Sequence, residues 1–205
     1  NSQKIKNKNL IDLNKKPLMS YTIISALNSK LFENIVVSSD SKKIQNISIS
    51  AGAKILFTRP KYLSNDYVGT FDVINHSINS LKEMQIDPKY VCCIYPMSVM
   101  LEKNDLKNSF IELRNNNWNY VFSVTDFGHP PQRGFYLHNN KIKNLNKTIY
   151  KSRTQDLRKI YHDAGQFYWG KTETWLKKKP IFSLKSYGFI LPRSRAVDVD
   201  DMDDL

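Results

Sequence analysis

The stretch Asn34-Ile35-Val36-Val37-Ser38-Ser39-Asp40-Ser41, followed by Ile44, Ile47 and Ile49, then Gly52 and Lys54-Ile55-Leu56-Phe57, decides the fold. Asn34 to Ser38 is a short apolar, β-branched run ended by turn and cap residues, which reads as a buried strand. The three isoleucines belong to a short helix that Gly52 closes, and 54–57 reads as a second strand. Strand, helix and strand at this spacing predict an α/β fold with a mainly parallel sheet. In such sheets ligands bind beyond the carboxyl ends of the strands. The loop after the second strand, Thr58 to Thr70, is too polar and too long for a simple connector.

Working outward, Pro17 opens a helical pattern through Lys30, with proline in the first turn as expected. A helix is predicted from Thr70 to Met84. Tyr90-Val-Cys-Cys-Ile-Tyr95 is the most apolar strand and the expected centre of the sheet, ended by Pro96-Met97-Ser98. A helix over Leu106–Leu113 and a strand over Tyr120–Val124 follow. The rhythm breaks at 126–165, where Phe135-Tyr136-Leu137 and a turn at His138-Asn139-Asn140 read as a β-hairpin excursion. The parallel pattern is expected to resume at Gln166–Gly170, then a helix at Thr172–Lys177 and strands at 181–183 and 186–191. Residues 1–16, with Lys4, Lys6, Lys8, Lys15 and Lys16, read as a basic loop whose composition suggests a frayed terminus.

The 205 residues fit one domain, 1–205, with an insert at about 126–165. The net charge of +12 calls for a polyanionic ligand: nucleic acid, a membrane surface or nucleotide phosphate. No segment approaches the ~18 uninterrupted apolar residues of a membrane span. Cys92 and Cys93 are neighbours in a strand and point to opposite faces, which excludes a mutual disulfide or shared metal. Both are read as core residues, consistent with a reducing cytoplasm. Because the chain starts at Asn1 and stops at Leu205 where a helix begins, a first strand and a C-terminal helix are expected beyond its ends.

Five of the last eight residues are aspartates. Val197 and Val199 alternate with Asp198 and Asp200, an extended pattern that puts both carboxylates on one side. Two carboxylates so placed suit Mg²⁺, which takes one or two of them plus water and substrate phosphates. Asp201, Asp203 and Asp204 read instead as the start of a helix. Arg193 and Arg195 repeat the two-residue spacing and are candidate donors for an anion.

Taken together, these elements resemble a known family. Asn1-Ser2-Gln3-Lys4-Ile5-Lys6-Asn7-Lys8-Asn9-Leu10 resembles the end of the triphosphate loop of CMP-sugar synthetases. Arg59-Pro60 through Leu63 and Asp66 is similar to their R-P-x-x-L-x-x-D element, and Asp198-Val199-Asp200 to their D-[IV]-D metal pair. Tyr161-His162-Asp163-Ala164-Gly165-Gln166-Phe167-Tyr168-Trp169-Gly170, with Arg153-Thr154-Gln155-Asp156-Leu157 upstream, is especially similar to the branch that activates pseudaminic acid. The resemblance implies a Rossmann-like nucleotidyltransferase sheet of the glycosyltransferase-A kind, with the hairpin as a dimerisation insert and a homodimer as the assembly.

The implied reaction joins CTP and a nonulosonic acid to give a CMP-sugar and pyrophosphate. By the resemblance, Ser2, Lys4, Lys8, Asn9, Arg59 and Thr70 bind the nucleotide, with Lys8 neutralising the triphosphate. Asp198 and Asp200 hold Mg²⁺ or Mn²⁺ and, with Lys8, form the catalytic set. Arg153 pairs with the sugar carboxylate, and His162, Gln166 and Tyr168 line the pocket, with Gln132 and Arg133 in reach from the hairpin base. Two departures stand out: Gln3 where the family has lysine, and Tyr95-Pro96-Met97-Ser98 where it has Q-P-T-S. The second argues against N-acetylneuraminate as substrate. Remaining alternatives are another nonulosonate such as legionaminate, Kdo, an inactive homologue, or a nucleic-acid-binding module. The dispersed lysines and the lack of a nucleic-acid motif speak against the last.

Overall fold

A computed structural model describes residues 8–145 and 152–197. A 3₁₀ turn at Lys8–Leu10 leads into a tight hairpin, β1 (Asp12–Leu13) and β2 (Lys16–Pro17). Its two turn residues, Asn14 and Lys15, both take positive φ, the geometry of a two-residue hairpin turn. From Lys8 onward the basic stretch is thus no frayed end. Leu10 packs with Met19 and Ile23, and Ile11 with Leu18 and Met97.

Then come α1 (Leu18–Ser29), α2 (Lys42–Ser50), α3 (Thr70–Glu83), β3 (Tyr90–Ile94), α4 (Lys103–Asn115) and β4 (Tyr120–Asp126). The excursion forms a hairpin, β5 (Phe135–His138) and β6 (Lys141–Asn144), turned by Asn139 and Asn140 at positive φ. β7 (Tyr161–Lys171), α5 (Thr172–Leu176) and β8 (Ser186–Ile190) complete the described elements.

The central sheet has the order β3-β7-β4-β8. β3, β4 and β8 run the same way, but β7 lies antiparallel between β3 and β4. The sheet is therefore mixed, and the parallel pattern expected to resume at Gln166 is instead one long reversed strand starting at Tyr161. The reason is the hairpin excursion, which returns the chain at the opposite end of the sheet from an ordinary crossover. Two other expected strands are reduced. Segments 34–38 and 54–57 meet only at the parallel bridge Val36–Lys54, with Lys54 N donating to Ile35 O at 2.7 Å. Residues 181–183 form bends rather than a strand.

Alternation along the strands fills two cores. Val121, Phe167, Trp169, Cys92 and Ile94 face α1 and α4, packing with Ala26, Leu106 and Leu113. Tyr120, Phe122, Tyr168, Val91, Cys93 and Tyr95 face α3 and α5, packing with Ile74, Ile78 and Trp175. Cys92 and Cys93 are thus split between the two cores, as strand geometry required, and both thiols are free. Burial of each Leu or Phe on these faces contributes about 1.5–3 kcal/mol. Gly170 is needed here, since a Cβ would lie 2.6 Å from the Trp175 indole nitrogen and 2.8 Å from the Tyr120 ring. Among the described residues, no helix is long and apolar enough to cross a membrane.

Candidate active site

The site begins with an irregularity in β7. Asp163 pairs with Val124 and Tyr168 with Phe122, so Ser123 alone on β4 faces the four residues from Ala164 to Phe167. A regular ladder would have one residue there, so β7 carries three extra. The Ser123 hydroxyl holds this bulge by accepting from Gln166 N at 3.1 Å and Phe167 N at 3.2 Å. Gly165 takes φ +62, a backbone region that favours glycine. In a regular strand, residues five apart face opposite sides; the bulge turns Asp163 and Tyr168 to the same one.

The consequence is a line of polar side chains across the carboxyl end of β3. The Tyr168 hydroxyl donates to Asp163 Oδ2 at 2.5 Å, while Asp163 Oδ1 accepts from Gly165 N at 2.9 Å. The Tyr168 and Tyr95 rings pack with their centroids 5.4 Å apart. Tyr95 in turn shares a 2.8 Å hydrogen bond with Thr70, the first residue of α3. Burial, then the bond to the Asp163 carboxylate, pushes the Tyr168 phenol up, so it stays protonated. Burial likewise raises Tyr95, against the pull of Thr70. Cys93 beneath them is pushed up to about 12 by burial, opposed by the nearby Arg59 charge.

Arg59 is half-buried, and its guanidinium binds both the hydroxyl (3.1 Å) and the carbonyl of Ser38. Desolvation lowers its pKa, partly offset by Asp40. Lys8 and Asn9 sit on the 3₁₀ turn, whose neighbour Ile11 packs on Met97 just beyond β3. The side-chain carbonyl of Asn9 is buried without a hydrogen-bond partner, an acceptor left for a ligand or water.

Other expected residues go elsewhere. Gln166 is 1% exposed, and its amide donates to the Arg195 carbonyl on the α4 side of the sheet, away from Tyr168. Arg195 itself grips Asp105 with both guanidinium arms, one at 3.1 Å, and Asp105 also caps α4 through Glu102 N at 3.1 Å. Burial of Asp105 and this pairing make Arg195 a structural anchor, not the anion donor its spacing suggested. Arg193 lies 3.5 Å from Asp126. Arg153 is exposed and paired with Asp156 at 2.8 Å. His162 is exposed against Phe127, with ring centroids 4.6 Å apart. Gln132 donates to Arg158 O at 2.7 Å, and Arg133 to Ser152 O, which ties the hairpin base to the 152–158 segment. Ser2, Lys4, Asp198 and Asp200 lie outside the described residues.

Comparison with known proteins decides the family. Residues 1–190 match the sequence profile of the cytidylyltransferases. The chain belongs to the cytidylyltransferase family. It is 42% identical over 205 residues, all of this chain and 88% of the other, to a pseudaminic acid cytidylyltransferase of Campylobacter jejuni. It is also 40% identical over 199 residues, 97% of this chain, to part of a Helicobacter pylori protein described as pseudaminic acid cytidylyltransferase and UDP-2,4-diacetamido-2,4,6-trideoxy-beta-L-altropyranose hydrolase. That match spans 38% of the longer protein. The structure of a CMP:2-keto-3-deoxy-manno-octonic acid synthetase complexed with CTP superposes with a TM-score of 0.67 at 12% identity, covering 94% of this chain and 86% of that one. At that identity it shows a shared fold.

For this cytidylyltransferase, the described residues hold no group of three or more His, Cys, Asp or Glu able to bind a metal. Sequence reasoning gave no site role to Asp163, Ser123 or Asp105, and read Tyr95 only as a departure from the family pattern. A signal for the first existed: Asp163-Ala164-Gly165 places glycine inside a strand pattern, a mark of a bulge.

Proposed function

We propose that this enzyme transfers CMP from CTP to the anomeric hydroxyl of a nonulosonic acid, pseudaminic acid first among them, and releases pyrophosphate. The full-length similarity to pseudaminic acid cytidylyltransferases carries this reading. The Thr70–Tyr95 and Tyr168–Asp163 hydrogen bonds, brought together by the packed Tyr95 and Tyr168 rings at the end of β3, support it, since they join the stretches that resemble nucleotide and sugar subsites.

In the reaction the anomeric oxygen forms a bond to the α-phosphorus of CTP. The bond from that phosphorus to the bridging oxygen breaks, pyrophosphate leaves with the electron pair, and the hydroxyl proton is lost. Positioning and charge stabilisation therefore dominate catalysis. Lys8 and Asn9, on the turn beside the end of β3, would take the triphosphate. Arg59 and Thr70 would take the cytidine, and Tyr168 the sugar. Arg153 would exchange Asp156 for the sugar carboxylate, a bidentate match. Asp198 and Asp200 would hold Mg²⁺ or Mn²⁺, which would neutralise phosphate charge. Ser2 and Lys4 would complete the phosphate side.

The enzyme is proposed to act as a homodimer in the cytoplasm. The hairpin supports the first: Phe135, Tyr136, Leu137 and Ile142 are each at least half exposed. The two free thiols agree with the second. Pyrophosphate release with CTP, Mg²⁺ and a panel of nonulosonic acids tests the function. Release confined to pseudaminic acid is expected. Release with another acid sugar would retain the chemistry and remove the substrate assignment, and silence with all would point to an inactive homologue.

A further inference from the structure

Both oxygens of the Asp163 carboxylate are engaged within β7. Oδ1 accepts from Gly165 N at 2.9 Å inside the bulge, and Oδ2 accepts from the Tyr168 hydroxyl. A carboxylate only accepts and a phenol has one proton, so the Tyr168 proton is committed to Asp163. Its oxygen keeps only lone pairs for any other group. The ring is held in this position by Phe122, stacked at 5.9 Å with the planes 11° apart, and by Tyr95, packed at 5.4 Å. Asp163 is partly exposed, so this edge can be reached from solvent. The two side chains together present acceptors and a negative charge, which attract O–H and N–H groups and repel a carboxylate.

We propose that Asp163 is a positioning residue for sugar recognition: it fixes Tyr168 as a hydrogen-bond acceptor, so that this edge takes a hydroxyl or amide N–H of the acid sugar and turns its carboxylate away. This rests on the assignment of Tyr168 to the sugar subsite. It gives the bound sugar an orientation, with the carboxylate towards Arg153 and a donor towards Tyr168. It also gives the β7 bulge a purpose. Residues five apart in a regular strand face opposite sides, and the extra residues, held by the Ser123 hydroxyl at 3.1 and 3.2 Å, bring Asp163 and Tyr168 onto one side.

The test is Asp163→Asn, with KM for the acid sugar and for CTP measured by pyrophosphate release. The Gly165 amide needs an acceptor where Oδ1 lies, so the new side chain keeps its oxygen there and turns its NH₂ to the Tyr168 oxygen. The bond is thereby reversed and the Tyr168 proton released, with the shape of the edge kept. KM for the sugar is expected to rise roughly tenfold, with KM for CTP unchanged. Tyr168→Phe keeps the ring and the Gly165–Asp163 bond, and serves if Asp163→Asn fails to fold. It should raise the sugar KM by only about threefold, because a missing acceptor costs less than a donor set against a donor. Equal rises in both KM values, or a fall in kcat alone, would mark a structural role and overturn the proposal. An unchanged sugar KM in both variants, or loss of the fold in both, would overturn it as well. If the wild type turns over none of the acid sugars, the proposed function falls and this inference with it. Turnover by the wild type with unaffected variants removes this inference alone.

Discussion

The central sheet and the β5–β6 hairpin are built from similar residues and put to opposite ends. Tyr120-Val121-Phe122 on β4 is at most 8% exposed, clamped between helices on both sides. Phe135-Tyr136-Leu137 on β5 is 50–67% exposed and, among the described strands, pairs with β6 alone. Strand propensity made both, but only the first has layers to pack against. The same contrast divides the site. Residues within the sheet, such as Tyr168 and Thr125, have their side-chain hydroxyls engaged by the fold, while residues at its rim, such as Arg153 and His162, remain exposed. The lesson is that the sheet engages its side chains in the fold while the rim leaves them open to solvent.

That division can be broken by experiment. The largest effect is expected from Asp200→Asn, which should reduce turnover by about a thousandfold or more while Tm stays put. Full activity in that variant would remove the metal role of the acidic end. In the sheet, Trp175→Ala should cost about 3–5 kcal/mol of unfolding free energy in urea titrations. Trp175 is completely buried and its indole nitrogen donates to Val91 O at 3.2 Å. A loss below 1 kcal/mol would contradict the packing described.

Arg195→Ala lies between the two regions. It leaves the Asp105 carboxylate, 9% exposed, without its partner and should cost about 3 kcal/mol. If the anchor also orders the acidic end, the apparent Mg²⁺ requirement in the assay should rise as well; a change in metal requirement without loss of stability would invert that order of cause. Arg153→Ala should raise KM for the sugar about tenfold and leave KM for CTP nearly unchanged. A rise in both would move Arg153 out of the sugar subsite. The smallest effect on folding belongs to the hairpin: Tyr136→Ser with Leu137→Ser should shift the Tm of the monomer by no more than about 2 °C. Sedimentation should nevertheless show dissociation of the dimer, and an intact dimer would place the interface elsewhere.

Much of this was legible in the sequence because it depends on local rules. Pro17 and Gly52 bounded helices, Asn139-Asn140 turned the hairpin, and alternation in Tyr90–Tyr95 split Cys92 from Cys93. The motifs around Arg59, His162–Tyr168 and the acidic end carried the family. Periodicity could not tell the direction of β7, since a buried strand reads alike both ways. Nor could spacing say that Arg195 would be consumed by Asp105, ninety residues away, or that Gln166 and Tyr168 would turn to opposite sides.

By itself, then, the sequence determined the α/β class, the element order, the hairpin and the candidate chemistry, because each rests on neighbours in the chain. The tertiary structure alone decided strand order and direction, the bulge, and the contact of Asp163 with Tyr168 and, through Tyr95, with Thr70. Those features depend on which distant groups satisfy each other's hydrogen bonds once buried, and no local pattern encodes that choice.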